Sequence, residues 1–363
     1  MKSFLLCISI SLFIANVGNP VLGDYNALSE AKLQTEVPEE DVRRTPKGEV
    51  DSLIEDALAN KYPGDKGIEN DPDVIFTENF EEDSLEVVKS RWESVKSIEI
   101  MSLSRDVPPG SAGKHSLLMT HIGGKSTGGH LYRRLLPGYE KLFVRFYVKF
   151  DTNCYPIHHF FHVGGYNPPT PWPQGGAGIR PSGNERFTTG VEPFGRNWRW
   201  DFYSYWMGMR SSPDKKSWGH DFINDRNLKA ERGRWICVEL MMKMNDPVTE
   251  HNGRQALWID SKPWSKDGQV VSYLGKGFPK GRWVWDSFIP SPEGVPFEGF
   301  QWRSVKDLKL NFLWVLLYIT KAPPGYVSKV WFDDIVVAKK YIGPINLLPP
   351  VSSNILSSRD YQK

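Results

Sequence analysis

The chain has 363 residues, with 45 Lys+Arg against 43 Asp+Glu and a net charge of +2. That balance supplies no global field of the kind that draws nucleic acid, so any charged partner has to be recognised locally. Glycine (32) and proline (27) beside 14 Trp, 14 Tyr and 19 Phe point to many turns joining aromatic-rich strands rather than to a helical bundle.

Residues 1–23 have the build of a secretory signal peptide: Lys2, an apolar run from Phe4 to Ala15, and the small-residue site Val21-Leu22-Gly23. The mature chain is then expected to begin at Asp24, outside the cell. No later stretch approaches the ~20 apolar residues a spanning helix needs, so no membrane partner is expected. Cys7 leaves with the leader, and Cys154 and Cys237 meet an oxidising compartment, where a disulfide between them is expected. Two buried thiols on separate strands remain the alternative. From Asp24 to Asp73 the chain is crowded with charge (Glu36, Glu39, Glu40, Asp41, Arg43, Arg44) and nearly free of aromatics, which reads as a largely disordered linker or propeptide. Residues 346–363 read as a second loose tail. One domain of residues 74–345 remains.

Within it, Lys141 to Phe150 carries apolar residues at period two, with Leu142, Val144, Phe146, Val148 and Phe150 on one face and Arg145 and Lys149 on the other. Pro156 to His162 holds three of the eight histidines. In a regular strand His158 and His162 share one face and His159 takes the other. A zinc site from His158 and His162 lacks a carboxylate or third histidine at a familiar spacing. Arg199 to Trp206 places Arg199, Asp201, Tyr203 and Tyr205 on one side and Trp200, Phe202 and Trp206 on the other. That equips one side for sugar binding, although strand aromatics are also ordinary packing residues. Ile236, Val238, Leu240, Met242 and Met244 alternate again, and Leu308–Thr320 and Val330–Val337 are nearly continuous apolar strands. Turn signals such as Pro108-Pro109-Gly110, Gly123-Gly124, Asn252-Gly253 and Pro323-Pro324-Gly325 separate these runs. The predicted fold is all-β: an antiparallel jelly-roll β-sandwich of the concanavalin-like kind.

Gly164-Gly165, Ala177-Gly178-Ile179-Arg180, Asp201-Phe202-Tyr203-Ser204-Tyr205, Gly233-Arg234-Trp235 leading to Asn245, Ala256-Leu257-Trp258-Ile259-Asp260 and Lys329 to Val337 follow one another in a telling order. It resembles that of secreted jelly-roll polysaccharide lyases of the family-fourteen type, which cleave alginate and other polyuronates. The resemblance implies β-elimination on an acidic polysaccharide, with Tyr203 and Tyr205 as the tyrosine pair and Arg180 holding the uronate carboxylate. His162 stands nearest to where that family carries a lysine. On the same concave face, His158, Arg199 and Asp201 are expected to contact substrate. The resemblance also implies a structural calcium tying the first strand to the last, at Glu81 after Phe80 and Asp333 after Phe332. The alternative is a non-catalytic secreted carbohydrate-binding or extracellular-matrix protein on the same fold. Glu81-Glu82-Asp83-Ser84-Leu85-Glu86 spells a retaining-glucanase motif, but its polar context without apolar alternation marks it as a chance match. The oligomeric state is not legible in the sequence.

Overall fold

The computed structural model describes residues 56–260 and 269–346. The predicted leader, residues 24–55 of the acidic segment and residues 347–363 lie outside the described residues.

In chain order the first strands are β1 (Val74–Glu78), β2 (Ser94–Lys96), β3 (Met101–Ser104), β4 (Ser116–Ile122), β5 (Gly128–Tyr139) and β6 (Lys141–Phe150). β7 (His159–Tyr166), β8 (Arg186–Phe194), β9 (Arg199–Tyr205), β10 (Trp235–Lys243), β11 (Arg254–Asp260) and β12 (Gln269–Leu274) follow. β13 (Lys280–Val284), β14 (Ser287–Pro290) and β15 (Val295–Pro296) make a small separate sheet, and β16 (Leu310–Tyr318) and β17 (Val327–Ala338) come last. A short helix, α1 (Leu85–Ser90), precedes β2.

Two antiparallel sheets form the sandwich. The first runs β12-β11-β10-β6-β17-β4-β3 with β1 added on β17, and the second runs β2-β5-β16-β7-β8-β9. The predicted jelly-roll sandwich is therefore the observed fold. Its core follows from the alternation: Val144, Phe146, Val148 and Phe150 of β6 meet Phe160, Phe161 and Trp200 of the second sheet, with Phe146 stacked on Phe161 at 3.9 Å between centroids. Among the described residues no helix is long and apolar enough to cross a membrane.

The outer face of the first sheet departs from expectation. Phe143, Met241 and Trp258 point away from the inter-sheet core yet are buried, because residues 56–73 and 339–346 pack over them. Residues 56–73 form three 3₁₀ turns, Leu58–Asn60, Pro63–Asp65 and Ile68–Asn70, and bury Leu58 and Ile68. Asp65 pairs with Arg145, which is fully buried rather than solvated. The Leu58 and Ala59 N–H groups donate to Tyr341 and Ile342 carbonyls at 3.1 and 2.9 Å. The linker expectation for 24–73 is thus corrected from residue 56 onward: average composition hid a few apolar anchors that a charged surround does not cancel.

The expected disulfide is also overturned. Cys154 packs in the inter-sheet core, whereas Cys237, between the inward Ile236 and Val238, faces the opposite side beside Tyr147 and Arg145. No bond joins them. The two side chains sit on opposite faces of a sheet, which disulfide geometry cannot bridge without backbone movement.

Candidate active site

β7, β8 and β9 pair in register at the edge of the second sheet, with His162 opposite Gly190 and Gly190 opposite Tyr203. Residues at every second position on these strands share the outward face, so His162, Glu192, Tyr203 and Tyr205 project together. Gly190 keeps the row close, because a Cβ there would meet the His162 ring at 2.6 Å.

β7 breaks the regular alternation. Its pairing with β16 slips between Val315↔Phe161 and Tyr318↔His159, and both Phe160 and Phe161 turn into the core. A bulge of this kind re-aims the residues beyond it, so His159 joins His162 on the outward face instead of opposing it. His159 Nδ1 and His162 Nε2 both approach Glu192 Oε1, at 2.8 and 3.1 Å. His159 also stacks on Tyr318 and lies 4.9 Å from the Tyr203 ring. The Tyr203 and Tyr205 hydroxyls are 3.3 Å apart, close enough to share a proton. Glu192 was not singled out by the sequence reading; its signal is a carboxylate directly after the core residue Val191, which fixes it on the outer face.

The electrostatics separate the roles. Burial works against the Glu192 charge, but the two histidines outweigh it and hold the carboxyl below its usual range. Burial holds the fully enclosed His162 below the ordinary imidazole value. Tyr203 is pushed well above the usual phenol value by burial, reinforced by Tyr205 and Glu192, so it keeps its proton.

The other expected site residues divide. Arg180 sits on an exposed loop that touches the pair: Gly178 N–H donates to Tyr205 Oη at 3.4 Å, and Arg186, lying over the Tyr205 ring, holds the Gly176 and Ile179 carbonyls. Arg180 Nε donates to the Met207 carbonyl at 2.7 Å. His158 borders His159 at 4.3 Å between rings and bonds Thr320 Oγ1 at 3.1 Å. Thr320 also lines a 310 Å³ cleft with His121, Lys125 and Thr127 at the β4–β5 turn. Asp201 does not reach the open face. It is fully buried and accepts the N–H groups of Phe202, Phe222, Ile223 and Asn224 at 2.8–2.9 Å. Arg199 bridges Asp201 and Asp221 at 3.3 and 3.0 Å. Both residues anchor the loop over the sheet edge, because four converging N–H groups draw a carboxylate inward more strongly than solvent draws it out.

On β17, Asp333 is fully buried, with one oxygen accepting the Asp334 N–H at 2.8 Å and the other lacking a protein partner. Asp334 likewise has a buried Oδ2 without a partner. Burial and the neighbouring Asp334, Glu81 and Glu78 push Asp333 well above the usual carboxyl range. Glu81 Oε1 accepts the Lys114 and His115 N–H groups, both at 2.6 Å. The two buried oxygens of Asp333 and Asp334 that lack a partner are hard-oxygen donors of the kind calcium takes. The glucanase-like letters from Glu81 to Glu86 fall in the loop before α1 and in its first turn, off both sheets.

No protein-family model matches the chain, and no curated protein matches it. Among solved structures it is similar to an alginate lyase held with an alginate tetrasaccharide, at TM-score 0.47 and 12% identity over 74% of this chain and 97% of that one. It is similar to an alginate lyase from a Chlorella virus at TM-score 0.47 and 12% identity, over 73% of this chain and 99% of that one. An endo-β-1,4-glucuronan lyase from the fungus Trichoderma reesei aligns at TM-score 0.41 and 15% identity, over 75% of this chain and 99% of that one.

Proposed function

We propose that the β7–β9 face binds a uronate-containing polysaccharide outside the cell and cleaves it by β-elimination. The observation that carries this reading is the Tyr203–Tyr205 hydroxyl pair at 3.3 Å beside a histidine oriented by a buried carboxylate. With His159 Nδ1–H donating to Glu192, Nε2 keeps its lone pair and His159 is a poised base. It takes the C5 proton, the C4–O bond breaks as the C4=C5 double bond forms, and Tyr203 delivers its own proton to the departing oxygen. Arg180, on the loop at Tyr205, neutralises the uronate carboxylate and so acidifies C5–H. Tyr203 is assigned the acid rather than the base because its raised pKa keeps the hydroxyl protonated. The leader-like residues 1–23 support an extracellular site of action. Asp333 and Asp334, with Glu81 beside them, would hold a structural calcium, which supplies charge neutralisation between β17 and the loop after β1.

The test is to incubate the secreted chain with alginate, glucuronan and a neutral glucan. Unsaturated uronate from one of the two polyuronates supports the reading; reducing ends without unsaturation indicate hydrolysis and overturn it. A carbohydrate-binding role without turnover is the second reading, favoured by the burial of Tyr205, which is only 7% exposed. Retention on a polyuronate column with no product assigns that role.

A further inference from the structure

We propose that His159, His162 and Glu192 form a binding site for a divalent transition metal of the zinc class. The three side chains each offer one ligand atom, and these atoms all lie within 4.8 Å of one another. The two imidazole nitrogens converge on a single carboxylate oxygen, at 2.8 and 3.1 Å. Bond lengths of ~2.0–2.1 Å in a tetrahedral zinc site set ligand-to-ligand edges of roughly 3.3 Å, so the triad opens by only a few tenths of an ångström along those two edges to admit the ion. Two imidazoles with one carboxylate favour zinc, cobalt or nickel over calcium and magnesium, which take oxygen donors. Three protein ligands leave a position open, as in catalytic rather than structural zinc sites. The opening lies on the His159 side, where 23% of that side chain is exposed, against 7% of His162 and 4% of Glu192.

The site is also held rigid. Its ligands come from adjacent strands, His159 is stacked on Tyr318, and the His162 ring fills the space above Gly190. Coordination replaces the two N–H protons that otherwise bond Glu192, so the metal-free and metal-bound states use the same nitrogens. Binding does not require the elimination reading. Under that reading the metal-bound state takes His159 out of service as base, so added zinc would suppress turnover.

The experiment uses the full secreted chain, without an affinity tag, stripped with chelator and titrated with Co²⁺. The expected result is one equivalent of Co²⁺ developing the intense visible bands of a four- or five-coordinate site, bleached by Zn²⁺. His159→Gln, at the exposed ligand, and Glu192→Gln should each weaken binding by at least about tenfold, with native folding checked by near-ultraviolet circular dichroism. His159→Gln keeps the test valid should the buried Glu192 variant misfold. A spectrum of aquo Co²⁺ alone with the wild-type chain, or unchanged bands in His159→Gln, overturns the proposal. Both readouts are independent of any lyase activity.

Discussion

Asp65→Ala tests whether residues 56–73 belong to the folded domain. Asp65 is the carboxylate partner of Arg145, whose side chain is fully buried on the outer face of the first sheet. Without it the guanidinium keeps the Asp334 and Gly343 carbonyls at 3.1 and 3.2 Å but loses its ion-pair partner, leaving the Asp334 and Glu239 carboxyls, both lifted to about 7, as the acidic groups that interact with it. Breaking a buried ion pair from one side costs about 3–5 kcal/mol, because the remaining charge stays desolvated. At a urea dependence of roughly 2 kcal/mol per molar, the unfolding midpoint should fall by about 2 M. Replacing both partners, Asp65→Ala with Arg145→Met, should recover most of the loss, since an apolar pair of similar volume removes the stranded charge. Urea unfolding followed by tryptophan fluorescence reads both variants. A loss under about 1 kcal/mol for Asp65→Ala, the range of a solvent-exposed pair, would refute the account.

Burial lifts Glu239 to about 7 from 4.5, against the pull of the Ile342 and Gly343 N–H groups. The folded chain therefore holds this proton more tightly than the unfolded one, and the stabilisation is complete below the unfolded value and lost as pH rises through the folded one. Glu239→Gln should flatten a fall of order 3 kcal/mol between about pH 5 and about pH 8; parallel stability profiles for variant and wild type would contradict this. Chelation should lower the Tm of the wild-type chain, with calcium restoring it, and an unchanged Tm would remove the calcium proposal. Cys154 and Cys237 should both be alkylated by iodoacetamide after denaturation without reductant, and a pair left unlabelled until reduction would mean a disulfide. Tyr203→Phe should abolish elimination while leaving polyuronate retention within a few-fold of wild type, because the ring against His159 is kept and only the proton donor is lost.

The sandwich was legible because its signal is local. The period-two apolar run along β6 and β10 names the residues facing the other sheet, and Phe146 and Val238 are fully buried as that pattern requires. Alternation also placed Tyr203 and Tyr205 together. It failed at β7, where a bulge turns Phe160 and Phe161 into the core side by side and so moves His159 onto the site. Two adjacent phenylalanines between histidines are the trace of that event, but the slip depends on pairing with β16, more than 150 positions away in the chain. Asp201 illustrates the converse limit: its position along β9 was read correctly, while the loop N–H groups that bury it come from residues 222–224. The apolar contacts of Leu58 and Ile68 were masked for the same reason, since their partners lie on β6, β10 and β11 and in the segment after β17.

The most direct test of the central claim is the rate of unsaturated uronate formation from the best polyuronate substrate, measured across pH for wild type and His159→Gln. The account predicts that His159→Gln lowers kcat by at least ~10²-fold across that range, the contribution of a positioned base. Turnover by His159→Gln within a few-fold of wild type at any pH would contradict it.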